Sequence, residues 1–441
     1  MTLRLKPGFN HKKPAFDRKA GWIYALIWGA YAVNYICRKN FSVCLSDMIA
    51  DGVLTDLAAG RMMTAFFAVY GVGQLVNGFL GDRLDPKWMI TFGLSGAGLM
   101  NLLLPLCQSP LPLTILWCLN GLFCSMLWGP VIRCMGDYLT ESHRLKYAAW
   151  LSATVPVGQN LCYLLSAAVL KAASWRLVYP ICGITNLLYT LIWLVALRCA
   201  RGYLKEARTI ISEERTKDAS RMDNSSGAAL QTGGSSMSLK ALLLSCGIFL
   251  GILVILTNGM LKDGVTDWTP TLLKNTFEMG SATVSLIMTL FPIISLVGVW
   301  LGDRLLKRLK NEFTASAVLF AISLLSMVLL VFFVSRNAIL TTSLVALSAG
   351  AMLGVNNLLL TFIPLHYAPH GRASLATGLL NSFGYVATAL SGLVVGALQS
   401  ADGWGRILLF WAVIAFAGLL SCILSSRPWE KESRRLYRTK P

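Results

Sequence analysis

Apolar stretches of about 20 residues follow one another along nearly the whole chain, each free or almost free of charge and each bounded by a short polar segment. Twenty residues at 1.5 Å rise span a hydrocarbon core roughly 30 Å thick. The stretches are too long and too continuously apolar for the alternating strands of a barrel, and an open strand would leave its backbone groups unsatisfied in lipid. The pattern therefore predicts an all-α integral membrane protein of about twelve transmembrane helices. In the first half they fall at Gly21–Leu45, Arg61–Gly81, Trp88–Cys107, Pro112–Tyr138, Lys146–Ala172 and Trp175–Leu197. In the second half they fall at Leu239–Leu261, Ser281–Gly302, Thr314–Phe333, Ile339–His366, Arg372–Gln399 and Arg406–Ser425. Residues 1 to 20 are polar and basic, and the apolar stretch after them is too long for a cleaved signal, so a retained first helix is expected.

One long polar segment interrupts the series. It carries the low-complexity runs Asn224-Ser225-Ser226-Gly227 and Gly233-Gly234-Ser235-Ser236 and reads as a flexible linker. The expected domains are a six-helix bundle over 1–200, a linker over 201–238, and a second six-helix bundle with a basic tail over 239–441. An internal echo supports the division. Gly81-Asp82-Arg83 closes helix two and Gly302-Asp303-Arg304 closes helix eight, the surrounding strings starting 221 positions apart (78 and 299). Trp175-Arg176 and Trp404-Gly405-Arg406 form a second echo, which ordinary anchoring at the interface would equally produce.

Charge sets the orientation. The chain is 55% hydrophobic and only 14% charged, against roughly 25% charged in soluble domains. Its net charge of +18 is concentrated in alternate loops: Arg4 to Lys19, Arg83 and Lys87, Arg144 and Lys146, Arg198 to Arg221, Arg304 to Lys310, and Arg427 to Lys440. The first loop on the opposite side carries Asp47, Asp51 and Asp56 instead. By the positive-inside rule both termini are expected in the cytoplasm, with the protein in the plasma (inner) membrane. Attraction to lipid headgroups accounts for the positive charge without a nucleic-acid partner. Eleven cysteines, an odd number without zinc-type or redox spacing, are expected as small core residues. No nucleotide loop, Ser-His-Asp set or metal cluster stands out, so no enzyme, cofactor or metal is expected. The expected partners are a small solute and the bilayer, and the expected state is a monomer.

The loop Gly78-x-x-Gly81-Asp82-Arg83-x-x-x-Lys87 resembles the signature of the major facilitator superfamily, and its weaker copy extends the resemblance over the whole chain. The resemblance implies two pseudo-symmetric bundles rocking about a central cavity. It also implies a conformational latch at Asp82, Arg83, Lys87, Asp303 and Arg304; a simple surface salt bridge is the alternative. Two further strings, Tyr35-Ile36-Cys37-Arg38-Lys39-Asn40-Phe41 and Asp267-Trp268-Thr269-Pro270-Thr271, are similar to the organophosphate:phosphate antiporters, which include glycerol-3-phosphate and hexose-phosphate transporters. Asp85-Pro86-Lys87 fits the same subfamily. That resemblance implies phosphate binding by Arg38 and Lys262, one from each half. They stand 224 positions apart, close to the repeat offset.

From the residues alone two placements remain open. Arg38 and Lys39 could cap helix one at the far interface, with Lys262 snorkelling at the end of helix seven. Alternatively they could lie in mid-membrane, where a cation costs roughly 2.5–3.5 kcal/mol and needs compensation. Polar stripes recur at helical spacing: Tyr31, Tyr35 and Arg38; Tyr70, Gln74 and Asn77; Asn258 and Lys262; Asn381 and Tyr385. Such stripes face a cavity or hydrogen-bond between helices. The resemblance implies that Tyr31, Tyr35, Tyr70 and Tyr385 face the cavity, and Gln74 and Asn258 complete the expected substrate-binding set. The sequence departs from the subfamily where a lysine is Gln74, a histidine about Val155 and a tyrosine about Gly354. The expected function is therefore a secondary active transporter exchanging an organophosphate for inorganic phosphate by alternating access. A proton-coupled carrier of another solute and a non-transporting sensor of a sugar phosphate are the alternatives.

Overall fold

A computed structural model describes residues 14–139, 147, 150–151, 153–211, 242, 245–367, 373–402 and 404–438. Twelve long helical segments account for nearly all of them. The first six are α1 (Pro14–Asn34 continued by Ile36–Ala50), α2 (Asp56–Arg83), α3 (Pro86–Leu103), α4 (Pro110–Ser125 continued by Trp128–Tyr138), α5 (Thr154–Ala172) and α6 (Trp175–Cys199). The second six are α7 (Cys246–Phe277), α8 (Ser281–Met288 continued by Leu290–Leu309), α9 (Glu312–Phe333), α10 (Ala338–Asn357 with a π turn over Leu358–Phe362), α11 (Ala373–Asp402) and α12 (Trp404–Arg438).

Among the described residues, nine of these helices are long and apolar enough to cross a membrane by length and composition alone. The three that are not, α1, α2 and α5, are diluted by Arg38, Lys39, Gln74, Asn77 and Gln159, and two of them bring Arg38, Lys39 and Gln159 to the central cavity. Ends are set by ordinary capping. Thr55 accepts from the Ala58 amide at the start of α2, Asp85 accepts from the Lys87 amide before Pro86 opens α3, and Asn311 accepts from the Thr314 amide on α9.

The packing has a twofold logic. In the first half α2 lies on α4 and α3 on α6; in the second α8 lies on α10 and α9 on α12. Between the halves α2 meets α11, α5 meets α8, and α1 meets α7. Small residues make the tightest crossings. A Cβ placed on Gly298 would fall 1.9 Å from the Gly350 carbonyl oxygen, so α8 and α10 touch backbone to backbone.

The largest departure from the expected spans is α7, which runs on from Leu261 to Phe277. Lys262, Asp263 and Asp267 look like a loop by hydropathy, yet they are paired side chains inside a helix. Helix ends also reach further than expected at α1 and α12. Residues 201–211, expected as the start of the linker, are helical, with Tyr203, Leu204 and Ala207 buried on the first half. The rest of the linker, from 212 to 238, lies outside the described residues. All eleven cysteines are free, and most are buried.

Candidate functional site

The site begins at a tightened turn in α1. Tyr35 donates its amide to the Ala32 carbonyl and accepts from the Arg38 amide, so the helix narrows around it. Gly158 of α5 packs against this turn; a Cβ there would lie 2.2 Å from the Ala32 oxygen. The segment after the turn is pinned by three fully buried asparagines. Asn120 donates to the Cys37 carbonyl at 2.9 Å, Asn101 donates to the same oxygen at 3.5 Å, and Asn40 donates to Asn101 Oδ1 at 2.7 Å. A network of this kind fixes the rotation of α1 about its axis, and so the direction of Arg38 and Lys39.

A cavity of about 190 Å³ lies between the halves, and Arg38, Lys39, Lys262, Asp263, Tyr35 and Tyr385 line it. Arg38 is 8% exposed. Its Nη1 donates to the Tyr70 hydroxyl at 3.1 Å and to the Tyr35 hydroxyl at 3.4 Å. The guanidinium lies 4.2 Å from the Tyr70 ring centroid, 5.2 Å from that of Tyr35 and 5.9 Å from that of Tyr385. Among the described residues no carboxylate pairs with Arg38, and its Nε has no hydrogen-bond partner. Tyrosine faces and hydroxyls thus hold the cation without neutralising it.

The neighbouring cations are neutralised. Lys39 pairs with Asp267 across the halves at 2.6 Å, both side chains buried. Lys262 pairs with Asp263 at 2.8 Å, and Asp263 also accepts from Thr388 at 3.0 Å. At ordinary charges, three cations face two carboxylates in this region.

The expected residues divide into groups. Arg38, Lys262, Tyr35 and Tyr385 line the cavity. Tyr70 and Gln74 stand behind Arg38, with Gln74 donating to the Tyr70 hydroxyl at 2.9 Å. Tyr31 is packed edge-on against Tyr35 and at a tilt against Trp128. Asn258 is fully buried and turned away, donating to the Met352 carbonyl of α10 at 2.7 Å; it joins helices and does not reach the cavity. Gln159, Thr266, Ser295, Asn356, Asn381 and Thr388 complete the polar lining. Of these, Asn381 was visible as part of a helical stripe with Tyr385, and Thr388 continues that stripe at i+7, whereas Gln159 and Ser295 belong to none of the stripes read from the sequence.

The expected latch residues have local partners. Lys87 pairs with Asp85, Asp303 accepts from Asn357 of its own half, and Arg304 lies over the Trp300 ring. Arg83 is exposed at the end of α2, and the side chain of Asp82 lies outside the described residues. Among the described residues, the halves are joined on the side away from the termini. Asp47 of α1 accepts from Lys274 of α7 and Ser281 of α8. Thr64 donates to the Ala389 carbonyl, and Ser285 donates to the Tyr163 carbonyl. Gly60 faces Gly392 and Gly396 so closely that a Cβ on it would lie 2.5 Å from the Gly392 oxygen. Among the described residues every hydrogen bond between the halves belongs to this far side or to the membrane centre. These contacts close the cavity on the far side. Also on the far side, Asp51 accepts from the Trp175 indole and the Arg176 guanidinium, which together hold its carboxyl below the usual carboxylate range.

The comparisons with known proteins agree with this architecture. The chain is 24% identical to the membrane sensor protein UhpC of Salmonella typhimurium over 91% of its own length and 90% of that protein's. It is 22% identical to the glycerol-3-phosphate transporter of Bacillus subtilis over 93% of its own length and 91% of that protein's. Among solved structures, a bacterial homolog of the human lysosomal transporter Spinster, in an inward-facing and occupied conformation, superposes with a TM-score of 0.71 at 14% identity, covering 94% of this chain and 97% of that one. At that identity the likeness shows the fold alone. The family model of the Major Facilitator Superfamily matches residues 27–392, and this multi-pass membrane protein belongs to that superfamily of transporters.

Proposed function

We propose that the protein is a secondary transporter for a small organophosphate, exchanged for inorganic phosphate by alternating access, with both termini in the cytoplasm. One observation carries the reading: Arg38, buried on the wall of the cavity between the halves, has no carboxylate partner among the described residues. A guanidinium in that setting calls for an oxyanion, and its planar fork suits two phosphate oxygens. Lys262, on the opposite half, would complete the grip by exchanging Asp263 for the ligand. Charge drawn from both halves makes closure around the substrate favourable. A cavity of about 190 Å³ suits a compact ligand of the size of glycerol phosphate. The glycerol-3-phosphate transporter among its relatives supports the same class.

A second reading has one observation of its own. Asp263 and Asp267 are carboxylates buried in mid-membrane, the kind of group through which carriers couple to protons. Both, however, are engaged with lysines.

Counterflow into proteoliposomes separates the two. With phosphate loaded inside, labelled glycerol 3-phosphate should accumulate transiently, and a protonophore should leave the overshoot unchanged. Uptake that needs an imposed pH gradient and ignores internal phosphate would overturn the exchange reading in favour of proton coupling. Saturable binding without any flux would favour a sensor.

A further inference from the structure

A second cavity, about 550 Å³ and separate from the central one, opens at the terminus side of the first half. It lies where α3 begins, α4 and α6 end, and the helix over 201–211 folds back. Five of its lining residues are basic: Lys87, Arg198, Arg201, Lys205 and Arg208. Lys87 is paired with Asp85, and Arg208 reaches Asp137 and the Tyr138 hydroxyl. Among the described residues no carboxylate pairs with Arg198, Arg201 or Lys205. Three unbalanced cations thus converge on one hollow.

Its surroundings select the ligand. The hollow sits at the level where the apolar spans of α3 and α6 end. Below it the exposed surface of those helices is apolar, with Phe92 61%, Leu191 58% and Val195 51% exposed. Trp88, on the cavity wall, is also exposed, as an indole at a headgroup level would be. A soluble anion would use the cations and leave this apolar slope unused. A phospholipid uses both.

We propose that this cavity binds the headgroup of an anionic phospholipid, with its acyl chains lying along α3 and α6. Arg198, Arg201 and Lys205 hold the phosphate. Because the helix over 201–211 leads into the connection between the halves, the lipid would brace that connection against the first bundle.

Native mass spectrometry of the purified full chain is the test, with phosphatidylglycerol and phosphatidylcholine added in turn. One phosphatidylglycerol should be retained at least tenfold more tightly than phosphatidylcholine. The triple change Arg198→Ala, Arg201→Ala and Lys205→Ala should lower that affinity by about a hundredfold, at roughly fivefold per basic residue near the surface. The swap Arg198→Lys with Arg201→Lys should largely retain it and shows that loss follows charge and not misfolding. Neutralising Lys307, Arg308 and Lys310, on the same side of the second half, should change nothing. Equal retention of the two lipids, equal loss in both triple variants, or displacement of the lipid by millimolar glycerol phosphate would overturn the proposal. The last result would assign the hollow to a soluble anion.

Discussion

Asp267→Asn removes one partner of the buried pair that ties α1 to α7. Lys39 then keeps its charge in a site where its residue is 4% exposed, with the nearest remaining carboxylate, Asp263, already held by Lys262. Leaving one ion of a buried pair uncompensated costs about 3–5 kcal/mol. The protein can escape most of that cost by separating its halves on the far side, which lets water reach Lys39. A bias of about 3–5 kcal/mol shifts an equilibrium by roughly two to four orders of magnitude, enough to turn a state populated at about 1% into the majority one. Spin labels at the far ends of α2 and α11, read by double electron–electron resonance, should therefore pass from a short distance to a predominantly long one. The double change Lys39→Met with Asp267→Leu should restore the short distance, because a packed apolar pair carries no desolvation cost. An unchanged distance distribution in Asp267→Asn, or additive effects in the double variant, would refute the assignment of this pair to the closed far side.

Arg38→Lys keeps the charge but loses the fork, and should weaken organophosphate binding roughly tenfold; Arg38→Ala should weaken it further, at about 1.5–3 kcal/mol per lost charge-assisted hydrogen bond, and normal calorimetric affinity would contradict the role. Asn258→Leu should leave that affinity intact but lower the thermal midpoint, since it removes the buried hydrogen bond to the Met352 carbonyl that joins α7 to α10. The carboxyl of Asp51 is lowered by the Trp175 indole first and Arg176 second, so its contribution is present above the unfolded value near pH 4 and fades as pH falls through the lower folded one. Asp51→Asn should accordingly flatten the wild-type loss of thermal stability between about pH 5 and pH 3, the effect staying small because the group is exposed.

The fold was legible because lipid imposes one rule on every helix, so length and apolarity alone locate most spans. The rule failed at α7. Lys262, Asp263 and Asp267 read as a polar loop because hydropathy scores each side chain alone, while the structure pairs two of them with each other and the third with Lys39, 228 positions away. Arg38 and its tyrosines were visible as a helical stripe. Asn258 belonged to a stripe by the same spacing yet faces α10, because a stripe fixes a direction relative to its own helix and not to its neighbours. The far-side fastening of Asp47 to Lys274 and Ser281 had no sequence signal, since nothing local marks residues from three helices as meeting.

The charge count around the cavity has an electrical consequence. Three cations and two carboxylates leave one positive charge near Arg38 in the absence of ligand. When the unloaded protein reorients, that charge changes its exposure to the transmembrane voltage, which acts with up to about 2.3 kcal/mol per charge per 100 mV. A monoanion cancels the charge and makes the loaded step indifferent to voltage; a dianion leaves one negative charge and reverses the sign. The voltage dependence of flux therefore reads the valence of the carried species directly, and obligatory exchange of two like-charged anions would draw no net current at all.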